Sequence, residues 1–489
     1  MQRASGTSSF EGLLLDWVLT RPEPDPRPPV WSLDDEGVAV ELARLERNRA
    51  KETAREAELI LRLAELRPDT DDPARGARGA RSGAWRRSGP EFPGVSEFFP
   101  DEVAHALNLG RGTAAFRARR AWTWRESVPA TFAALRRGEI DERRAGVLAD
   151  ALQHTAPETA RAVEAALLPE ASALSLTRLG ARALELLAEL DAEAIDVRHE
   201  EAQRAADVRC HDAGDGMATL ATDMSADEAA ACYAMIDQLA TMAKAEGDPR
   251  PIGEIRSAIH SMLVLRPADH DLPGVTVNLA VTASLEGLEG ASAHGGDVNG
   301  LPITAAHLRE LLRRLGALGL TTPEGGSLMF AITDPDGRLR ATLTAAQLAR
   351  RAAQGCVEHP LADCGCAVLD APPATDGYAP TAAQQRFVRT RDRRCRMPNC
   401  GQRVGWADLD HVVAHARGGS TGCANLCCLC RSHHRLKTFA RGWAFHMDAD
   451  GVLHVTSPSG VTRTTRPPGL RPPDPEPPPD VPADDPPPF

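Results

Sequence analysis

Aromatic residues, lysine and long apolar runs are scarce or missing in this chain of 489 residues. Phe, Trp and Tyr together make up 4% of it, so any core must be built mainly from Ala, Leu and Val. The lysines are Lys51, Lys244 and Lys437, which leaves arginine to supply nearly all of the positive charge. Because no run of about eighteen apolar residues occurs, the sequence predicts no transmembrane helix and no membrane partner.

A secretion signal and a disulfide framework are also not indicated. The first twenty residues lack the cationic segment and long apolar core of a signal peptide. The 11 cysteines are odd in number and cluster near histidines, which favours metal ligation in a reducing compartment over disulfide bonds. We therefore expect a cytoplasmic protein of about three domains, with no prediction of its oligomeric state.

Two pairs of soft metal ligands stand close together in the C-terminal part of the chain. Cys395 and Cys400 are separated by four residues, and Cys430 and His433 by two. This spacing predicts one structural Zn²⁺ that ties a loop to the start of a helix. Cys427 is the rival ligand, through the pair Cys427-x-x-Cys430. Otherwise three further thiols are predicted to be small buried hydrophobes: Cys423, Cys427 and Cys428.

Four other residues of this stretch are not needed as zinc ligands: Asp410, His411, Asn425 and His434. Carboxylate and imidazole bind harder or borderline ions, and imidazole has an unperturbed pKa suited to a base near neutral pH. Hydrolysis of a phosphodiester needs a base to deprotonate water and a cation to neutralise the charge that develops. These residues therefore predict a metal-dependent nuclease. His415, four residues after His411, is predicted to be solvated rather than a ligand.

The same residues resemble the signature of the HNH endonucleases, in which two short strands and a helix, the ββα-metal fold, surround one divalent ion. The resemblance covers Asp410-His411, Asn425 and the run CRSHH that ends at His434. It implies that His411 is the general base and that Asp410 and His434 bind Mg²⁺ or Mn²⁺. Asn425 would orient His411 or complete the metal shell. His433 stands where many relatives carry a cysteine, so the zinc site would be Cys3His.

The charge of this stretch is opposite to that of the chain. From Arg386 to Arg441 it carries twelve Arg and Lys residues against three Asp residues, a local charge of +9, whereas the whole chain has a net charge of −12. A basic island in an acidic protein is typical of a surface that contacts phosphates. DNA is therefore the predicted substrate, and RNA the less favoured one. The alternative is a zinc-stapled DNA-binding or regulatory protein whose HNH residues are vestigial.

The N-terminal part of the chain is predicted to be helical. Residues 37–67 place Val, Leu and Ile at helical spacing, which predicts an amphipathic helix in a bundle. Residues 68–94 lack periodicity and predict a flexible linker, so that residues 1–94 form the first unit. Residues 101–121 are typical of a DNA-binding helix-turn-helix or of two helices of an ordinary bundle. The first alternative would set four arginines against DNA: Arg111, Arg117, Arg119 and Arg120.

The middle of the chain continues the helical pattern. Residues 128–265 predict further helices, interrupted by one β-hairpin in VRCHDAGDGMATLATDM. Residues 275–288 and 327–344 are predicted strands with a helix between them, so a small α+β module ends a mostly helical domain over residues 95–350. The run PATFAALRRGEID and the Ala/Leu/Arg pattern over approximately 37–350 resemble the domain of unknown function 222 (DUF222). That domain precedes HNH centres in many actinobacterial proteins, and the resemblance implies no catalytic residues in it.

Three further segments complete the predicted organisation. Residues 351–384 form a connector, residues 385–460 the nuclease domain with a closing hairpin in GWAFHMDADGVLHVTSPSG, and residues 461–489 a disordered Pro-rich tail. The connector offers either a second metal site or a turn with free thiols: Cys356, His359, Cys364 and Cys366. The predicted fold is thus a mainly α N-terminal region with a small α+β module, followed by a zinc-stapled ββα-metal (HNH) domain and a disordered tail.

Overall fold

The structure of the chain is a computed structural model. It describes residues 28–73, 92–153, 155–191, 206–214, 217–265, 301–314, 336–354, 369–402 and 407–470, and shorter segments at 196, 199–200, 202–204, 281–283, 296–298, 329–334 and 359. Helices dominate the described chain before residue 265, and small sheets are frequent after it. The first twenty residues and most of the predicted linker lie outside the described residues.

The described residues between 28 and 191 form a helical bundle with one alanine-rich and leucine-rich core. Within the described chain, no helix has both the length and the apolar character needed to cross a bilayer. The bundle contains these α-helices in chain order: α1 (Asp35–Glu65), α2 (Phe99–Leu107), α3 (Arg111–Glu126), α4 (Pro129–Arg137), α5 (Glu142–Leu152), α6 (Pro157–Leu167) and α7 (Leu176–Leu190).

Helix α1 shows why the bundle forms from so few large side chains. It begins after Asp34, whose carboxylate accepts a hydrogen bond from the Gly37 backbone N–H at 2.8 Å and so caps the helix. Its buried stripe packs in one core with Val103 and Leu135 of later helices. The stripe consists mostly of alanine: Ala50, Ala54, Ala57, Ile60, Leu61 and Ala64. The helix predicted over residues 37–67 is confirmed. Residues on both sides of the predicted unit boundary at residue 94 belong to this one core.

Helices α2 and α3 form the helix pair predicted over residues 101–121. Asn108 adopts a left-handed backbone conformation with φ of 58°, which ends α2 before the turn. The arginines of α3 pair with carboxylates of the bundle: Arg111 with Asp101 at 3.1 Å, Arg117 with Glu56 at 2.9 Å and Arg120 with Asp150 at 2.7 Å. These ion pairs support the interpretation as two helices of a bundle over that as a DNA-binding motif.

Short sheets and helices alternate in the described segments between residues 206 and 354. The predicted hairpin is present, since β1 (Val208–Gly214) pairs antiparallel with β2 (Met217–Thr222). Two helices follow, α8 (Ala226–Ala245) and α9 (Ile252–Val264). The α+β elements are β3 (Val281–Ala283), β4 (Gly296–Val298), β5 (Leu301–Ile303), α10 (Ala305–Arg314), β6 (Phe330–Thr333), β7 (Leu339–Leu343) and α11 (Ala345–Gln354). Strands β3, β4 and β5 form one antiparallel sheet, and β6 and β7 another.

Residues 382–465 form what we call the C-terminal module. Its elements are α12 (Ala382–Asp392), β8 (Ala407–His411), β9 (Leu426–Cys430), α13 (Arg431–Phe439), β10 (Ala444–Met447), β11 (Leu453–Thr456) and β12 (Thr462–Thr465). Strands β8 and β9 pair antiparallel, and α13 starts directly after β9. The predicted hairpin β10–β11 gains a third strand in β12, within the segment predicted as a tail from residue 461. Three β-branched threonines favour this strand. The rest of the predicted tail, residues 471–489, lies outside the described residues.

A buried ion triad ties the parts of the C-terminal module together. Asp392 Oδ1 lies 2.7 Å from Arg391 Nε and 3.0 Å from Arg396 Nη1, and all three side chains are buried. The second carboxylate oxygen accepts the Cys428 backbone N–H at 2.8 Å. The two guanidinium groups donate to the carbonyl oxygens of Cys423, Leu426, Gly451 and Thr465. The triad therefore joins α12 and β9 to the three-stranded sheet.

Candidate metal and catalytic site

Four soft ligands meet at the start of helix α13. Cys430 precedes the helix and His433 lies in its first turn, while Cys395 and Cys400 lie on the loop after α12. All four ligand atoms lie within 4.8 Å of one another. His433 Nδ1 is 3.1 Å from Cys430 Sγ and 3.4 Å from Cys395 Sγ. A tetrahedral zinc site separates its ligand atoms by roughly 3.3–3.8 Å at the usual bond lengths, so this Cys3His cluster could hold a metal ion such as zinc.

The thiols of the Cys3His cluster cannot all ionise without a cation. Hydrogen bonds from Cys395 and Cys400 lower the pKa of Cys430, whereas the contacts with Cys400 and Cys430 raise the pKa of Cys395. A divalent cation removes this conflict because it stabilises every thiolate at once. The donor set therefore fits a zinc ion, with three thiolates and one neutral imidazole as ligands.

The other cysteines of this region are core residues. Cys427 is fully buried and packs with Leu429 and Leu436, and its burial raises its pKa to about 12. Cys423 and Cys428 lie in a second small core, where burial raises the pKa of Cys423 to about 11. Buried thiols with raised pKa values behave as small hydrophobes. This supports the predicted packing role of the three residues, and the rival ligand Cys427 lies outside the cluster.

His434 faces away from the Cys3His cluster and toward strand β8. Adjacent residues on a helix diverge by about 100°, so His433 can point to the cluster while His434 points elsewhere. His434 Nδ1 lies 3.0 Å from Asp408 Oδ2, and its Nε2 lies 3.4 Å from Asp410 Oδ1. Asp408 and Asp410 are two positions apart on β8 and so share one face of the strand. The second imidazole therefore meets two carboxylates.

Asp410 has a further partner on the helix. Lys437 Nζ lies 2.8 Å from Asp410 Oδ2 and donates a hydrogen bond to the His411 carbonyl oxygen at 2.6 Å. This lysine therefore ties α13 to the end of β8. Within the described residues, the Cys3His cluster is the one group of three or more potential metal ligands whose ligand atoms all lie within 4.8 Å of one another. Three residues of the predicted second metal site lie outside the described residues: Cys356, Cys364 and Cys366.

His411, the predicted base, is buried at the end of strand β8. Its Nε2 lies 2.9 Å from Thr421 Oγ1, and the ring of Tyr378 stacks on it with centroids 5.4 Å apart. Burial lowers the pKa of His411, and the nearby charge of Asp410 opposes that effect only in part. The imidazole is therefore neutral near pH 7, which is the form that accepts a proton. His415, predicted to be solvated, is partly buried and lies with its ring centroid 5.6 Å from that of His411.

Asn425 holds the loop that joins β8 to β9. Its amide donates to the carbonyl oxygens of Val413 and Ser420, at 3.0 and 2.9 Å, and accepts the Val413 backbone N–H at 2.8 Å. Gly419 lies against the same backbone, where a Cβ would fall 1.9 Å from the Val413 carbonyl oxygen, so no other residue fits there. The contacts of Asn425 thus fix the backbone that follows His411 rather than its ring.

Comparison with known proteins identifies the family. A profile described as "Domain of unknown function (DUF222)" matches residues 39–314, which is more than half of the chain. The chain belongs to the DUF222 family. The uncharacterized protein Rv3776 of Mycobacterium tuberculosis (strain ATCC 25618 / H37Rv) is 46% identical to it over 90 residues, 18% of this chain and 17% of that protein.

Two more relatives match this DUF222 protein over a similar length. The uncharacterized proteins MT2160 of Mycobacterium tuberculosis (strain CDC 1551 / Oshkosh) and Rv2100 of strain ATCC 25618 / H37Rv are each 43% identical over 90 residues, 18% of this chain and 16% of the relative. The matched part thus spans about a sixth of each of these relatives. No solved structure matches the DUF222 chain.

The basic island of this DUF222 protein is smaller than its sequence suggests. Several of its cations pair with carboxylates of the same chain: Arg391 and Arg396 with Asp392, Arg393 with Asp297, Arg435 with Glu97, Lys437 with Asp410 and Arg441 with Asp71. Four exposed arginines have no carboxylate partner in the described part of the chain: Arg386, Arg389, Arg417 and Arg431. Among the described residues of the island, these four are exposed and can contact a polyanion without breaking an ion pair.

Several side chains of the DUF222 protein that contact these sites were not among the sequence-based candidates. Asp101 of helix α2 lies against His433, and Thr421 and Tyr378 lie against His411. Asp408 and Lys437 also escaped selection, although each stands two or three positions from a candidate, which is the spacing of neighbours on a strand or a helix. That spacing could have identified Asp408 and Lys437, whereas Asp101, Thr421 and Tyr378 lie ten or more residues from their histidine partners and carry no local signal.

Proposed function

We propose that this DUF222 protein is a metal-dependent HNH-type endonuclease that hydrolyses phosphodiester bonds of DNA and leaves a 5′ phosphate. One observation carries the proposal: Asp410 Oδ1 lies 3.4 Å from His434 Nε2, and the next residue of the strand is the buried His411, on two antiparallel strands followed by a helix. This is the order of elements and residues that the resemblance to the HNH signature implies. The neighbouring Cys3His cluster matches the zinc-stapled form of that fold.

His411 is the proposed general base. Its lowered pKa keeps the imidazole neutral near pH 7, so it can take a proton from the attacking water. In the tautomer that donates Nε2–H to Thr421 Oγ1, Nδ1 carries the lone pair that accepts this proton. Thr421 is fully buried, so it is a fixed partner that holds the ring in one orientation. A positioned base of this kind contributes about 10²–10⁴-fold to a rate.

Asp410 and His434 are the residues proposed to hold Mg²⁺ or Mn²⁺. Such an ion would supply positive charge to the scissile phosphate. Two side chains are enough, because Mg²⁺ is usually bound by one or two protein ligands together with phosphate oxygens and water. Lys437 stays on Asp410 Oδ2, which leaves Oδ1 on the side of His434. The lysine therefore orients the carboxylate without filling the space between the two proposed ligands.

Asn425 is proposed to act on the base through the backbone. Its three hydrogen bonds close the loop that carries Val413, Ser420 and Thr421, and Thr421 in turn contacts the His411 ring. This favours the orienting role over the metal-ligand role among the two that the HNH resemblance implies. Loss of the amide would misplace the imidazole rather than remove a ligand.

One observation favours the alternative of a zinc-stapled DNA-binding protein without catalysis. Lys437 and His434 already lie within ion-pair distance of the two oxygens of Asp410, so a vestigial site could be held together by these charges alone. In that case the exposed arginines would bind DNA and no bond would be cleaved. The two functions differ in one measurable respect, which is the appearance of nicked DNA.

Nicking of supercoiled plasmid by the full-length protein in Mg²⁺ or Mn²⁺ tests the proposal. We expect the wild-type protein to convert supercoiled plasmid to the open circular form, and His411→Ala to lower the rate about 10²–10⁴-fold. His446→Ala is the matched control, because His446 is an exposed histidine on the three-stranded sheet and pairs with Asp448. The same preparations on labelled RNA compare the two substrates.

Two outcomes would contradict the nuclease proposal. Plasmid binding by the wild type without nicking in either ion would support the DNA-binding alternative instead. Equal nicking by the wild type and His411→Ala would point to a contaminating nuclease or to another base. Zinc analysis of each variant keeps these outcomes separate from misfolding, because the Cys3His cluster should retain its metal in both.

A further inference from the structure

Helix α2 of the DUF222 domain lies directly on the C-terminal module. His105 Nε2 lies 3.0 Å from the carbonyl oxygens of both Val455 and Val461, and Arg463 donates to the carbonyl oxygens of His105 and Ala106. The residues on either side of α2 continue the contact. Glu97 pairs with Arg435 at 2.8 Å, Phe98 is part of the apolar core of the module, and Asn399 donates to Asn108 at 2.8 Å.

Asp101 stands at the centre of this contact and reaches the metal cluster. Its side chain is 4% exposed, and its Oδ1 lies 3.2 Å from Nε2 of His433. The other ring nitrogen, Nδ1, is the one that faces Cys430 Sγ and Cys395 Sγ. Arg111, the first residue of α3, donates to Asp101 Oδ2 at 3.1 Å and keeps the carboxylate in place. The imidazole therefore lies between the cluster and a carboxylate of a different domain.

We propose that Asp101 is the outer carboxylate of the zinc site, so that the DUF222 domain completes the metal centre of the C-terminal module. Asp101 Oδ1 lies against Nε2 of His433, so its negative charge favours the tautomer that carries the proton on Nε2 and leaves Nδ1 free for the metal. A carboxylate in this position fixes the tautomer and orientation of a ligating histidine and raises its basicity. The helical domain thus contributes to zinc affinity, because one of its carboxylates orients a ligand of the Cys3His cluster in the C-terminal module.

The chemistry of the pair supports this role. A buried carboxylate next to a buried imidazole loses its hydration, and such pairs contribute little to stability unless their geometry serves another purpose. Each ring nitrogen of His433 has its own partner here: Nδ1 lies against the thiols, and Nε2 lies against Asp101. Glu102, the next residue, is as deeply buried but pairs with Arg67 and stays away from the cluster. Asp101 therefore contacts a ligand of the cluster, whereas its neighbour Glu102 forms an ion pair elsewhere.

Zinc affinity measured by competition with a chromophoric chelator tests the proposal. We expect Asp101→Asn to weaken zinc binding by the full-length protein about 10- to 100-fold. Glu102→Gln is the matched control, because it removes a buried ion pair from the same helix without touching His433; it should leave zinc affinity unchanged. Equal zinc affinity in Asp101→Asn and the wild type would overturn the proposal, and so would an equal loss in both variants.

A second background keeps the test decisive if Asp101→Asn destabilises the fold. In the His433→Cys background the cluster has four thiols and no second ring nitrogen, so Asp101 has no N–H to accept. Asp101→Asn should then leave zinc affinity unchanged or improve it, because a negative charge is removed next to a thiolate. The same weakening in both backgrounds would show that Asp101 acts through the fold alone. These measurements use no DNA, so their failure is distinct from failure of the nuclease proposal.

Discussion

The helical bundle and the C-terminal module are held together in different ways. The bundle buries an apolar stripe along each helix, with alanines that allow close helix packing and leucines such as Leu148 and Leu179 that fill the space. The module has a smaller core and relies on the triad around Asp392 and on the Cys3His cluster. Apolar packing is spread over many residues, whereas charged and metal-binding contacts depend on a few. Single changes should therefore harm the module more than the bundle.

Removal of the metal should have the largest effect and should separate the two regions. We expect Cys395→Ser, or a strong chelator on the wild type, to unfold the C-terminal module while α1 and α3–α7 keep their structure. A structural zinc supplies about 10–16 kcal/mol of apparent binding free energy, which a small module cannot replace. Hydrogen exchange followed by mass spectrometry would locate the loss. His411→Ala should leave both regions folded, and equal protection in the two variants would contradict this division of roles.

Loss of the buried triad should come next. We expect Asp392→Asn to lower the free energy of unfolding of the module by about 3–5 kcal/mol, because two buried guanidinium groups then lack their counter-charge. Chemical denaturation, monitored by a signal that arises from residues of the C-terminal module, measures this change in the free energy of unfolding. Asp450→Asn is the control, since Asp450 lies on the turn of the β10–β11 hairpin and accepts the Val452 backbone N–H outside the triad. A similar cost for both substitutions would show that the triad adds nothing special.

A single truncation in the bundle should cost less and should not reach the metal. Leu148 is fully buried in α5, and Leu148→Ala should lower the free energy of unfolding by about 2–4 kcal/mol through lost burial and a cavity. Zinc affinity should stay at the wild-type value, because Leu148 belongs to α5, whereas the contact with His433 is made by Asp101 of α2. Calorimetry and zinc analysis on one preparation test both points. A drop in zinc content would mean that the regions are more strongly coupled than proposed.

Acidification should produce the smallest effect, at the contact between the two regions. Burial lowers the pKa of His105, whose ordinary value is 6.5, and its Nδ1 is buried without a hydrogen-bond partner in the described structure. The unfolded state therefore binds this proton more readily, so stability is fully present above pH 6.5 and falls as the pH drops toward the lowered pKa. The loss should be at most about 1.4 kcal/mol per pH unit.

His105→Asn provides the comparison for this pH dependence. Its free energy of unfolding should fall less than that of the wild type between pH 7.5 and pH 5.5, because the substituted residue does not titrate. The difference between the two slopes isolates His105 from other histidines with lowered pKa values, such as His411. Parallel slopes would show that His105 is protonated as easily in the folded protein as in the unfolded one.

The helical region could be predicted from sequence because its signal is periodic. The stripe from Ala50 to Ala64 repeats at helical spacing, and the predicted helix over residues 37–67 agrees with α1. Short-range signals also gave the β1–β2 and β10–β11 hairpins. The third strand, β12, was missed because four residues before a Pro-rich tail carry little periodicity. The sequence did not predict that α1 and the later helices share one core, because the segment between them, predicted as a linker, carries no signal of their contact.

At the Cys3His cluster and the proposed catalytic site, sequence spacing indicated residues that lie close together but not all of their partners. Cys395, Cys400, Cys430 and His433 meet as their spacing predicts, because two ligand pairs at short range need only one turn and one loop to converge. Asp101 is more than three hundred residues from His433 along the chain, so only the docking of α2 brings them together. The basic island was overestimated for the same reason, since carboxylates distant in sequence pair with three of its twelve cations, Arg393, Arg435 and Arg441.

Zinc content of the purified full-length protein tests the central claim most directly. A metal-held module next to a packed bundle predicts that the wild type and His411→Ala each carry zinc at the Cys3His cluster, and that Cys395→Ser does not. A wild-type protein that folds without zinc, or a Cys395→Ser variant that retains the same amount, would contradict the claim.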